Sequence, residues 1–181
     1  NREENRRKTA WYRQLLRIIG LTHDLGHAPF SHASEELFEN GQKHEDFTRI
    51  IITETEIADH IRRIGSKFQR EYGEAYDITP ELVWMIYEGK QVTDEKFVVP
   101  DFLFLQSFMD GELDCDKMDY LLRDSLYCGV TYGKYDLNRF ISTLTVYKDD
   151  HTLQLAIERG GVQALEEFVL ARYFMFIQVY F

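Results

Sequence analysis

Residues 11–24, WYRQLLRIIGLTHD, place Trp11, Leu15, Ile18, Ile19 and Leu21 at helical spacing, and Gly26 with Pro29 then stops the helix. The same pattern of apolar stripe and abrupt stop recurs down the chain and constrains its fold most. SHASEELFENG reads as a second short helix closed by Gly41. HEDFTRIIITE and IADHIRRIGSKFQREYG are further helical segments with polar faces. TPELVWMIYEG has a start and a stop: Thr79 as N-cap, Pro80 at the first helical position, Gly89 after the last turn. Residues 90–101 read as a loop and DFLFLQSFMDG as a short apolar helix. DCDKMDYLLRDSLYCG is the next helix, closed by Gly129, and another begins near Leu137. TLTVYKDDHTLQLAI alternates around an Asp-Asp turn and predicts a hairpin, after which a long helix occupies 161–181. The expected architecture is all-α, a helical bundle with one small β-hairpin, in a single domain spanning 1–181.

A chain of 181 residues can bury one substantial core, and 44% hydrophobic with 14% aromatic content suits such a core and argues against disorder. The net charge of −10 argues against broad nucleic-acid binding, which needs clustered Lys and Arg. An anionic small molecule stays open if a metal or a local basic group supplies positive field. Cys115 and Cys128 form neither a disulfide framework nor a zinc knuckle, and a reducing, cytoplasmic setting is the expectation. NREENRRKTA is too polar for a signal peptide. FVLARYFMFIQVYF contains Arg172 and Gln178 and falls short of the roughly 20 apolar residues a membrane span needs. It reads as a buried helix, and its apolarity suggests a chain continuing past Phe181.

THDLGHAPFSH gathers three of the six histidines beside an aspartate. His23 and Asp24 point about 100° apart on a helix, yet both can reach one ion beyond the helix end. Imidazole plus carboxylate suits Mn, Fe, Co, Ni or Zn rather than calcium. His27, at i+4 from His23, is expected on the same face, and His32 follows the break. The bland alternative is a set of histidines satisfying a helix terminus. HDLGH also approximates the zinc-protease signature H-E-x-x-H, but Gly26 sits inside the would-be helix and no third ligand stands out.

In DGELDCDKMDYLLRDS a helical projection puts Asp116, Tyr120, Arg123 and Asp124 on one face with Lys117 at its edge. Met118, Leu121, Leu122 and Leu126 tend to the other side. A solvated face laced by i,i+4 pairs would look similar. Tyr120 amid mixed acid and base suits a substrate pocket better.

HDLGHAPFSH followed by ELDCDKMDYLLRDS resembles the HD-domain phosphohydrolases, most closely the deoxynucleoside triphosphate triphosphohydrolase branch, dGTPase-like enzymes included. YGKYDLNRFISTL and EEFVLARYFMFIQVYF extend the likeness over nearly the whole chain. The resemblance implies a divalent metal (Mn, Fe, Mg, Ni or Zn) held by His23, Asp24 and Asp116, with one more histidine upstream. None precedes His23 here, so either the metal site is crippled or, as expected here, the chain is a fragment lacking upstream and downstream parts. The resemblance further implies that His44, paired with Glu35, is the general acid or base, with His32 beside it. His27 would approach the α-phosphate, and Lys117 and Arg172, with Arg123 a further candidate, would address phosphate oxygens. Tyr120 and Asp124 would meet the deoxyribose, leaving no room for a 2′-hydroxyl, and Tyr180 the sugar and base.

The activity implied is hydrolysis of a deoxynucleoside triphosphate to deoxynucleoside and triphosphate by attack at the α-phosphate. A nucleotide activator and a homo-dimer or tetramer are implied as well, and no membrane association. The rival readings are another HD-type nucleotide phosphomonoesterase or phosphodiesterase, and a non-catalytic nucleotide-binding regulatory module.

Overall fold

The computed structural model describes residues 2–89, 102–148 and 153–180. The chain forms two compact units, Asn1–Gln106 and Ser107–Phe181.

In the first unit α1 spans Arg2–Thr22, beginning well before the apolar stripe because the polar opening residues are also helix formers. Its buried face is Trp11, Leu15, Ile18, Ile19 and Thr22. The Trp11 indole N–H donates to the Asp77 carbonyl at 3.1 Å, satisfying the one polar atom of an otherwise buried ring. α2 (His44–Glu54) and α3 (Glu56–Tyr72) are separated by Thr55, whose hydroxyl accepts from the Ile57 amide at 3.3 Å. α4 runs Pro80–Glu88 as its boundary residues predict. Thr79 accepts from the Leu82 amide at 3.1 Å, a cap worth about 0.5–2 kcal/mol, and Gly89 closes the helix at φ 61°. Ile52, Ala58, Ile61, Ile78, Leu82, Val83, Ile86 and Leu105 join α1 in this unit's core.

SHASEELFENG differs from its expectation of one short helix. It forms two 3-10 segments, Ser31–Leu37 and Glu39–Gly41. Phe30 and Ser31 turn left-handed at φ 72° and 51°, and Asn40 at 59°. The Ser34 hydroxyl lies 2.6 Å from the Pro29 carbonyl and 2.7 Å from that of Ser31, offering the backbone a local alternative to the α-helical ladder.

In the second unit a 3-10 segment ends at Phe108 and α5 follows at Cys115–Tyr127. Buried Asp114 caps α5, accepting from the Lys117 amide at 2.7 Å. Met118, Leu121 and Ser125 form its buried face. Leu126 is exposed, unlike its projected place, because the buried arc is narrow and centred on Leu121. α6 (Leu137–Ser142) leads to β1 (Leu144–Lys148), paired antiparallel with β2 (Leu153–Ile157) in the register Leu144 to Ile157 and Val146 to Leu155. The hairpin is as expected; its Asp-Asp turn and the 90–101 loop lie outside the described residues. α7, Val162–Gln178, buries Ala164, Phe168, Ala171 and Met175 and leaves Val169, Leu170, Tyr173 and Phe176 exposed. Phe168 packs on Phe140 with ring centroids 4.9 Å apart, and Tyr135 meets Phe168 edge-on at 5.2 Å.

Both cysteines carry free thiols. Among the described residues no helix is long and apolar enough to cross a membrane.

Candidate active site

α1 ends at Thr22, one residue before the histidine-aspartate pair. The chain then turns, with the Leu25 amide donating to Thr22 at 3.4 Å and the His27 amide to Asp24 at 3.1 Å. His23 and His27 therefore do not share a helical face, contrary to the i+4 expectation, because the helix stops before either. What holds the end of α1 is Tyr87 on α4. Its buried hydroxyl donates to the Ile19 carbonyl at 2.6 Å and lies 3.0 Å from the Thr22 hydroxyl, and burial pushes its pKa up.

His23 Nδ1 lies 3.1 Å from the Gly20 carbonyl. A carbonyl only accepts, so that nitrogen carries the proton and the lone pair falls on Nε2, the tautomer a metal-ligating histidine takes. Nε2 is 3.3 Å from Asp24 Oδ2. Two donor atoms at about 2.0–2.2 Å from one transition-metal ion stand this far apart, so the pair fits a divalent metal in both chemistry and spacing. A cavity of about 350 Å³ opens beside His23, lined also by Lys43, Asp46, Trp84 and Glu88.

The remaining histidines of the motif converge on α2. Nδ1 of His44 donates to Glu35 Oε1 at 2.5 Å and Nδ1 of His32 to the same oxygen at 3.0 Å. The His27 and His44 rings stack with centroids 3.8 Å apart, and His32 stands edge-on to both. One donor atom from each of His27, His32, Glu35 and His44 lies within 4.8 Å of the others, close enough to hold a metal or grip a phosphate. The bonds from His44 and His32 hold the Glu35 carboxyl below its ordinary range. Burial, then the neighbouring His44, pushes the His27 pKa down despite Asp24 at 3.6 Å. An acceptor carboxylate fixing two imidazoles is an arrangement suited to proton transfer.

The second unit assembles its own group. Tyr180 donates to Asp124 Oδ2 at 2.7 Å and its ring lies edge-on to Tyr120 at 5.8 Å. Burial and the Asp124 carboxylate raise the Tyr180 pKa. Burial raises that of Tyr120, opposed by the charges of Arg172 and Lys117. The Lys117 ammonium is held by Asp114 and by the Gly111 carbonyl at 3.0 Å, and Arg172 pairs with Glu112 at 3.2 Å. Asp116 sits in the first turn of α5. Arg123 is clamped by Asp119 through two hydrogen bonds of 2.8 Å on the exposed side of α5.

Three supporting residues carry no signal of their own in the sequence: Thr48, Tyr87 and Asp114 are ordinary polar or aromatic positions until the fold places them. Gly26 did stand out, but as a helix breaker rather than as a contact.

Residues 9–97 match the HD domain family model. The chain is 36% identical over 170 residues to the uncharacterized protein YwfO of Bacillus subtilis, covering 93% of this chain and 33% of that protein. It is 36% identical over 121 residues to a deoxynucleoside triphosphate triphosphohydrolase SAMHD1 homolog of Dictyostelium discoideum, covering 64% of this chain and 21% of the relative. Among solved structures, a phosphohydrolase from Bacteroides thetaiotaomicron superposes with a TM-score of 0.66 at 30% identity, over 94% of this chain and 35% of that one. Residues 9–97 are an HD domain whose histidine-aspartate pair fits a divalent metal, and the chain shares its fold with a solved phosphohydrolase. The chain belongs to the HD domain family, and it spans between about a fifth and a third of the length of these relatives.

Proposed function

We propose that this chain is the catalytic part of a deoxynucleoside triphosphate triphosphohydrolase, cleaving its substrate to deoxynucleoside and triphosphate. The observation that carries the reading is the Glu35 carboxylate fixing His44 and His32 beside the stacked His27 ring, one turn of chain away from a metal-fitting histidine-aspartate pair. The likeness to SAMHD1 relatives named as deoxynucleoside triphosphate triphosphohydrolases supports this substrate class.

His23, Asp24 and Asp116 would hold a divalent metal, which when bound would supply Lewis-acid polarisation at the phosphoryl group and a water of lowered pKa. The chain's own residues do the rest. His27 donates to an α-phosphate oxygen. His44, oriented by Glu35, gives its proton to the departing O5′, with His32 on the same carboxylate as an alternative donor. Lys117 and Arg172 exchange Asp114 and Glu112 for phosphate oxygens and hold the triphosphate, which is how an acidic chain handles so dense an anion. The Tyr120 ring and Asp124 fit against the deoxyribose, and Tyr180 beside sugar and base. A nucleotide activator and a homo-oligomer, dimer or tetramer, in a cytoplasmic setting belong to the same proposal.

The test is full-length protein incubated with dGTP and Mn²⁺ or Mg²⁺. Deoxyguanosine and intact tripolyphosphate are expected. Orthophosphate or pyrophosphate as first product would instead indicate a phosphomonoesterase or another point of cleavage.

A further inference from the structure

Thr48 sits one helical turn past His44 on α2 and is 2% exposed. Its hydroxyl accepts the Gly26 amide at 3.0 Å and lies 3.5 Å from the His23 carbonyl. The two backbones are in contact at this point. A Cβ placed on Gly26 would fall 1.9 Å from the His44 carbonyl oxygen and 2.6 Å from Thr48 Oγ1. The turn that carries His23 and Asp24 is therefore seated directly on the first turn of the helix that carries His44, and one side-chain hydroxyl joins them. The Asp46 carboxylate, accepting the Lys43 amide at 2.9 Å, fixes that end of α2 from its other side.

We propose that Thr48 is a positioning residue that sets the distance between the His23–Asp24 metal pair and the His44 proton donor. The inference rests on the roles given to those residues in the proposed function. The physical reason is that the hydroxyl serves two backbone groups of one turn, accepting from Gly26 and facing His23. Losing it frees the turn to rotate relative to α2, and outer contacts of this kind commonly change metal affinity by about 10–100-fold. A displacement of about 1 Å at the reacting groups can cost roughly 10²-fold in turnover.

The experiment compares wild-type full-length protein with Thr48→Val and Thr48→Ser, since valine keeps the volume and serine keeps the hydroxyl. Three readouts are taken: Mn²⁺ affinity by calorimetry, kcat and KM on dGTP, and hydrogen exchange of the Gly26 amide in metal-free protein. Thr48→Val should bind Mn²⁺ about 10–100-fold more weakly. It should lose kcat by a similar factor with KM little changed, and exchange Gly26 faster. Thr48→Ser should restore all three. Wild-type behaviour in Thr48→Val would overturn the proposal, as would a Thr48→Ser protein no better than Thr48→Val, which would assign the effect to methyl packing. Should the wild type release no deoxyguanosine, the nucleotide reading fails, while Mn²⁺ affinity across the three proteins still decides the role of Thr48.

Discussion

His27 and His44 stack face to face, ring centroids 3.8 Å apart and planes 14° from parallel, although one lies in the turn after α1 and the other opens α2. Two rings that close cannot both carry charge cheaply, and the proposed function gives them different tasks. His44, bonded to Glu35, is the member suited to deliver a proton, and His27 the member suited to stay neutral. Replacing His44 with alanine should lower kcat on dGTP by about 10²–10⁴-fold, the usual worth of a positioned acid, with metal still bound. Steady-state kinetics with metal analysis of the same sample checks both halves.

Glu35 sets a pH dependence whose sign is determined. Its carboxyl titrates below the ordinary range in the folded protein, mainly through the bonds from His44 and His32. The unfolded chain therefore binds the proton more readily, and the stabilisation is complete above the normal glutamate value of about 4.3. It is lost as pH falls through the depressed folded value. Denaturant unfolding of wild type and Glu35→Gln between pH 3 and 6 should show a steeper acid loss in the wild type.

Gly26→Ala tests the contact between turn and helix. Its new methyl would meet the His44 carbonyl and the Thr48 amide nitrogen, backbone atoms that cannot swing aside. A destabilisation of about 1–3 kcal/mol is expected, as for other overpacked sites. Chemical denaturation measures it, and an unchanged midpoint would show that the turn can lift off α2.

Much of this structure was readable in advance, for identifiable reasons. Helix boundaries that depend on local chemistry came out well: Thr79, Pro80 and Gly89 act through their own backbone and side chain, whatever surrounds them. The hairpin followed from its alternation, whereas α7, expected as a buried helix from its overall apolarity, buries only one stripe and leaves Val169, Leu170, Tyr173 and Phe176 exposed. The segment 31–41 did not, because its path depends on left-handed Phe30 and Ser31 and on the Ser34 hydroxyl, none of which has a strong sequence signature. The same holds for the site. His23, Asp24, His27 and His32 stand out as a cluster and His44 with Glu35 only through the family resemblance, whereas Thr48 and Tyr87 become meaningful only when α2 and α4 bring them onto the end of α1.

In the proposed function Tyr120 selects the sugar, and Tyr180 and Asp124 form a hydrogen-bonded pair beside it. Removing the ring in Tyr120→Ala should raise the rate on GTP relative to dGTP, since space opens where a 2′-hydroxyl would sit. Paired kcat/KM values for the two nucleotides check this. An unchanged ratio would remove Tyr120 from the sugar.

The central claim is that water attacks the α-phosphorus and the Pα–O5′ bond breaks. Full-length protein turning over dGTP in ¹⁸O-labelled water, with products resolved by mass spectrometry, tests it most directly. The account predicts one ¹⁸O atom in the tripolyphosphate and none in deoxyguanosine. Label in deoxyguanosine, or in orthophosphate or pyrophosphate released first, would contradict it.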